Sequence, residues 1–246
     1  MSPQDEVRVE RSHKRVRVML GGEVVGDTRH ALMVWERPYY PTYYFPEADV
    51  RTDLLTPADR SGRSPLGDAP AFTVKAGATE AVAGAYHHPG MEELEDYIAF
   101  VWRKMDHWFE EDEEVYVHPR NPYTRVDTLR SSREVRIEVG GVTVAESVRP
   151  TLLFETGLPV RYYLPKTDVR MDLMEPSDRS TECPYKGTAE YWSVVIAGDR
   201  HDDIVWSYPF PTLESAPIGG LMCFYDERVD LIVDGERQVR PETIFS

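Results

Sequence analysis

The segment CPYKG (residues 183–187) sets a thiol three positions from an amine. A cysteine beside a lysine can act as a nucleophile or redox sensor when the cation stabilises its thiolate. The opposing reading is an inert thiol buried in a proline-set turn, with Lys186 in solvent. Glu155 follows the apolar run LLF and precedes Thr156-Gly157. A carboxylate at the end of an apolar strand could be partly buried and serve as a general acid or base. Its structural alternative is an ion pair with Arg170 or Arg161. Tyr162, Tyr185, Trp206 and Tyr208 supply aromatic surface in the same stretch of chain. With Glu155, Arg170 and Lys186 at its rim, such a wall would suit a small planar or anionic ligand. An aromatic-rich β core is the competing outcome.

Several of these residues lie in text that the chain spells twice. YYFPEADVRTDLLTPADRS (43–61) recurs as YYLPKTDVRMDLMEPSDRS (162–180), and VRVMLGGEVVGDT (16–28) aligns without gaps on VRIEVGGVTVAES (135–147). AYHHP (85–89) matches SYPFP (207–211) after a small shift, so Glu36 stands where Glu155 does and Gly84 where Trp206 does. A period of this length fits a small domain better than a solenoid repeat. We read two tandem homologous domains, 1–130 and 131–246. If a site works once per chain, the second copy is the better candidate, because SPLGD (64–68) lacks the Cys, Tyr and Lys of CPYKG.

Within each copy, alternating residues flank a Gly-Gly pair, the signature of a tight β-hairpin. An apolar run and a Tyr-Tyr run follow as paired strands. In DVRTDLLTP and DVRMDLMEP, Val50 and Leu54, like Val169 and Leu173, stand four apart. That spacing predicts a short helix, capped by Asp49 or Asp168 and ended by Pro57 or Pro176. Arg51 and Arg170 have no evident structural task there. The expected architecture is mainly β, each domain carrying one short helix.

The 246-residue chain is long enough to bury a core in each half, and 41% apolar with 29% charged residues is a globular composition. A net charge of −15 argues against a nucleic-acid partner, which requires a basic face. No stretch has the apolar length of a membrane span. Cys183 and Cys223 are too few for a disulfide framework, consistent with a cytoplasmic protein. They are also too far apart, without a Cys-x-x-Cys, for a tetrahedral zinc site. Adjacent His87 and His88 would face opposite sides of a strand, and His201 beside Asp202 and Asp203 reads as a solvated loop. There is no phosphate-binding Gly-rich loop or dinucleotide fingerprint, so no cofactor is expected.

The motifs FETGLPVRYYLPKTDVRMDL, CPYKG, WSYPFP and VDLIVDGE, in that order, resemble tandem proteins of the DUF427 family, which also carries a nucleotidyltransferase-like name. The resemblance spans nearly the whole chain from Val16 and implies a β-tent-like fold, with sheets converging over a pocket. It implies no activity. Nucleotidyl transfer would need a Gly-Gly or Gly-Ser helix start and paired metal-binding carboxylates, whereas both Gly-Gly pairs here sit in hairpin turns. Two functional readings remain at this point. One is a small-molecule-binding protein, in enzyme form using Glu155 for proton transfer. The other is a non-catalytic interaction module built as an internal pseudo-dimer.

Overall fold

The computed structural model describes residues 7–37, 40–59, 62–64, 67–88 and 90–243. The chain divides into two compact units, Met1–Asn121 and Pro122–Ser246. The division precedes the 130/131 boundary expected from the repeat. Its physical reason is that Val126–Arg130 is an edge strand of the second unit, hydrogen-bonded antiparallel to Thr151–Glu155.

In the first unit, a seven-stranded sheet runs in the order Arg8–Arg11, Leu32–Arg37, Tyr40–Pro46, Tyr97–Phe100, Thr79–His87, Ala71–Ala76, Leu55–Pro57. A four-stranded sheet contains Glu113–Glu114, His107–Glu110, Val16–Leu20 and Glu23–Thr28. The second unit repeats this plan with one break. Val126–Arg130, Thr151–Glu155 and Arg161–Tyr163 form one sheet. Met174–Cys183, Gly187–Ile196, Asp199–Ser207 and Met222–Phe224 form another, and a single bridge between Leu164 and Met222 joins the two. Val142–Ser147, Val135–Val139, Asp230–Val233 and Glu236–Arg237 make its smaller sheet.

Both Gly-Gly pairs close two-residue hairpins. Gly21 and Gly22 have φ of +58° and +80°, and Gly140 and Gly141 +57° and +80°. Two successive positive φ values define the turn whose twist matches the flanking strands.

The long sheets are apolar on both faces, which is why their strands read as near-continuous hydrophobic text. In the first unit Met33, Tyr43 and Phe45 pack with the smaller sheet, while Val34, Tyr44 and Tyr86 enter a second cluster. In the second unit Leu164, Val205 and Phe224 pack with the smaller sheet, while Leu153, Tyr163, Trp206 and Tyr208 form the second cluster. This second cluster is where the polar chemistry lies.

The predicted helix is replaced in each unit by two 3₁₀ turns, Glu47–Asp49 with Thr52–Leu54 and Lys166–Asp168 with Met171–Leu173. Val50 and Val169 between them are extended and bridge to Gly26 and Ala145. Asp49 and Asp168 end the first turn instead of capping a helix. They accept hydrogen bonds from Thr28 (2.6 Å) and Ser147 (2.7 Å), tying the segment to the preceding hairpin. Pro57 and Pro176 lie within strands. Arg51 and Arg170 make two-point contacts with Asp53 and Asp172 two residues on. Much of the repeated text therefore specifies a clamp between elements.

Two further expectations change. His201 lies within strand Asp199–Ser207. The acidic run Glu110–Glu114, whose crowded like charges suggest a solvated turn or strand edge, does include the edge strand Glu113–Glu114, but Glu110 is buried, accepting from Tyr43 at 2.9 Å and pairing with Lys14.

Candidate functional site

Strand Thr151–Glu155 delivers Glu155 to the aromatic face of the sheet, on the same side as Leu153. Lys186 arrives from the tip of the hairpin between Met174–Cys183 and Gly187–Ile196. Cys183 and Gly187 are its last cross-strand pair, and Gly187 has a φ of +96°. A β-carbon at Gly187 would sit 3.0 Å from the Phe210 carbonyl oxygen, so glycine serves both conformation and space here. The tip is pinned from outside. Thr212 Oγ1 (2.5 Å) and Ser215 Oγ (3.1 Å) donate to the Tyr185 carbonyl, and the Thr212 amide donates to that of Lys186 (3.2 Å).

This anchoring turns Lys186 inward. Its Nζ lies 2.5 Å from Glu155 Oε2, and the two side chains are 11% and 10% exposed. Burial opposes the ammonium charge, but Cys183 and Glu155 beside it outweigh that and hold the lysine above its ordinary range. The expected turn is thus inverted: Lys186 is buried, whereas Cys183 is only half-buried. Tyr208 is buried next to them, its hydroxyl pushed well above the usual range by burial, then by Cys183, Tyr191 and Glu155.

Behind this group, Trp206 Nε1 donates to the Tyr163 hydroxyl at 3.1 Å, and its ring centroid lies 4.6 Å from that of Tyr225. The Arg161 guanidinium sits 5.7 Å from the Trp206 ring centroid and binds Glu227 through two contacts of 2.9 and 2.6 Å. Asp226 lies 3.3 Å from Arg161. Burial raises its carboxyl to about 7, against the opposing pull of Arg161 and with a push from Glu227.

Of the residues singled out by sequence, Glu155, Cys183, Lys186, Trp206 and Tyr208 come together. Arg170 does not: it is exposed and bound to Asp172. Tyr162 packs on the opposite face of its strand, against the smaller-sheet core. Tyr185 contributes its backbone carbonyl to the clamp, while its side chain is half-buried. Tyr225, Asp226 and Glu227 carried no motif that sequence reading could use, and Tyr163 was passed over in favour of its neighbour.

The first unit keeps part of the arrangement. Glu36 is buried and accepts from Tyr44 (2.8 Å), Tyr86 (3.1 Å) and Thr42 (3.2 Å). Glu36, Tyr44 and Tyr86 are the repeat counterparts of Glu155, Tyr163 and Tyr208. Hydroxyls satisfy the carboxylate here in place of an ammonium. No large side chain fits where Trp206 stands in the other copy, because even a β-carbon on Gly84 would meet Ala81 at 2.8 Å. Pro65 and Leu66 of SPLGD lie outside the described residues.

Among the described residues, no group of three or more His, Cys, Asp or Glu side chains could hold a metal ion, and no helix is long and apolar enough to cross a membrane. No curated protein matches the chain. A family described as a domain of unknown function, DUF427, matches residues 8–111 and again 127–235, one match in each unit and most of the chain in total, so the protein belongs to the DUF427 family as a tandem member.

Proposed function

We propose that this is a small-molecule-binding protein whose working site lies in the second unit, around Lys186 and Cys183. The supporting observation is the buried Lys186–Glu155 pair, held by a pinned hairpin tip beside a half-buried thiol. An ammonium has three donors; Glu155 accepts from one, and Cys183 lies close enough to favour the charge, so the ammonium keeps donor capacity for an acceptor on a ligand. The ligand class that fits is a small planar anion such as a carboxylate. Its charge meets Lys186, and its apolar part approaches the aromatic group through the side on which Cys183 is exposed. Glu155 then holds and orients the lysine, which supports binding ahead of proton transfer. The two free thiols agree with a reducing, cytoplasmic setting.

A thermal-shift screen of small aromatic and aliphatic carboxylates tests this reading. At least one carboxylate should raise the unfolding temperature of the wild type and not that of Lys186→Met. A panel without effect, or effects equal in both proteins, would contradict it.

A second reading rests on Phe210 and Leu213, which are 91% and 89% exposed just outside the pinned tip. Large apolar side chains so displayed suit contact with another protein. Loss of a stoichiometric co-purifying protein on Phe210→Ser/Leu213→Ser would favour this interaction module.

A further inference from the structure

Within the aromatic group of the second unit, Tyr191 and Tyr225 are both buried, and their hydroxyls lie 3.5 Å apart. An arginine covers each ring. The Arg179 guanidinium carbon is 4.6 Å from the Tyr191 centroid, and that of Arg228 is 5.3 Å from the Tyr225 centroid. Both charges reach the Tyr225 hydroxyl, which burial nevertheless holds above its ordinary range. Irregular backbone aims the two side chains. Strand Met174–Cys183 bulges between Ser177 and Ser180, and Arg179 lies in the bulge, its amide donating to Ser177 Oγ at 3.1 Å. Bulges re-aim side chains that a regular strand would direct elsewhere. Arg228 lies in the turn after Met222–Phe224, its amide donating to the Tyr225 carbonyl at 2.8 Å.

These two arginines differ from others in the unit. Arg149, Arg161, Arg170 and Arg200 each have a carboxylate oxygen within 2.8 Å. Arg179 comes no nearer than 3.7 Å to Asp203, beyond hydrogen-bond length. Among the described residues, Arg228 pairs with no carboxylate. Both side chains are exposed, as is Asp178 beside Arg179. Glu227, next to Arg228 in sequence, is already held by Arg161 and Thr243. A guanidinium resting on a ring is fixed in orientation, while its edge keeps the N–H donors that fit a phosphate in two-point contact.

We propose that Arg179 and Arg228 form a binding site for phosphate, free or as a small monoester, with the tyrosine pair as the platform that holds both guanidiniums. Two cations match the two charges of such a group better than the single charge of a carboxylate. The site rests on different residues from the one proposed around Lys186, so either can fail without the other.

Inorganic phosphate and phenyl phosphate are suitable probes, with benzoate and sodium chloride at matched ionic strength as controls. Arginine Nε–Hε signals would be followed by ¹H–¹⁵N NMR in the full chain near neutral pH, with Arg179→Lys and Arg228→Lys giving the assignments. At least one phosphate should move the Arg179 and Arg228 signals together, with one shared midpoint on the order of 1 mM, as expected for so few atoms. Tighter binding of phenyl phosphate would name a monoester as the ligand, and equal or tighter binding of inorganic phosphate would name the free ion. Each lysine variant keeps the charge but loses the fork, so it should weaken binding about tenfold, the worth of one charge-assisted contact. The shared midpoint is read in the wild type, so the test holds whatever the variants do to folding. Equal shifts with benzoate or with sodium chloride, no saturation up to about 100 mM, or different midpoints for the two signals would overturn the proposal.

Discussion

Lys186→Met leaves the Glu155 carboxylate about one-tenth exposed and without its cation. Among the described residues, Lys186 is the group that hydrogen-bonds this carboxylate. Removing one partner from a buried pair typically costs about 3–5 kcal/mol, because the remaining charge stays desolvated. Glu155→Leu should cost about 3–5 kcal/mol for the converse reason. Glu155→Leu/Lys186→Met removes both charges, and replacing a whole buried pair with apolar groups is often close to neutral. The double variant should therefore lie within about 1 kcal/mol of wild type, giving a coupling energy of several kcal/mol. Urea unfolding of the full chain, read by hydrogen-exchange mass spectrometry on peptides covering Gly187–Ile196, reports on the second unit alone. A cost below about 1 kcal/mol for Lys186→Met, or simple additivity in the double variant, would refute a desolvated pair. A near-neutral double variant that has lost ligand binding would show that the pair serves recognition more than stability.

Other consequences can be measured separately. Asp226, with its carboxyl raised to about 7 from 3.8, binds its proton more tightly in the folded state. Stability should thus be greatest below pH 4 as far as this group is concerned, and should fall as pH rises toward 7. At about 1.4 kcal/mol per pH unit the full effect is at most about 4 kcal/mol, and Asp226→Asn should flatten that slope in urea melts at stepped pH. Gly187→Ala puts a β-carbon at positive φ and against the Phe210 carbonyl, so it should lower stability by about 1–3 kcal/mol and weaken carboxylate binding. Arg170→Ala removes an exposed fork to Asp172 and should leave both the unfolding midpoint and ligand binding unchanged.

The site was legible in sequence where local chemistry determined it. Gly-Gly between alternating residues can close only a few turns, so both hairpins could be read directly. Glu155 was recognisable as a carboxylate ending an apolar strand, and CPYKG as an unusual turn. Direction was harder to read. Thr151 pairs with Tyr163 and Leu153 with Arg161, so Tyr163 and Arg161 share the face of Glu155, and Tyr162 does not. That parity depends on the length and shape of the intervening loop, and a one-residue change would reverse it. Sequence left Lys186 open between a pocket rim and solvent, because its burial depends on Thr212 and Ser215, more than twenty residues away in sequence. The 3₁₀ segments were misread because a four-residue spacing of Val and Leu in so short a run does not distinguish a helix from two turns around an extended residue.

The central claim is that Lys186 draws a small anion to the side of Cys183. Alkylation of native protein by iodoacetate and by iodoacetamide tests it most directly, with Cys223, fully buried, as the internal control. Both reagents attack the same thiolate, so their rate ratio cancels the fraction ionised and reports how the site receives negative charge. Relative to N-acetylcysteine amide, the iodoacetate-to-iodoacetamide ratio at Cys183 should rise about tenfold, the worth of one charge-assisted contact, and fall back in Lys186→Met. The net charge of −15 would by itself lower that ratio. A ratio at or below that of the free thiol, unchanged by Lys186→Met, would contradict the account.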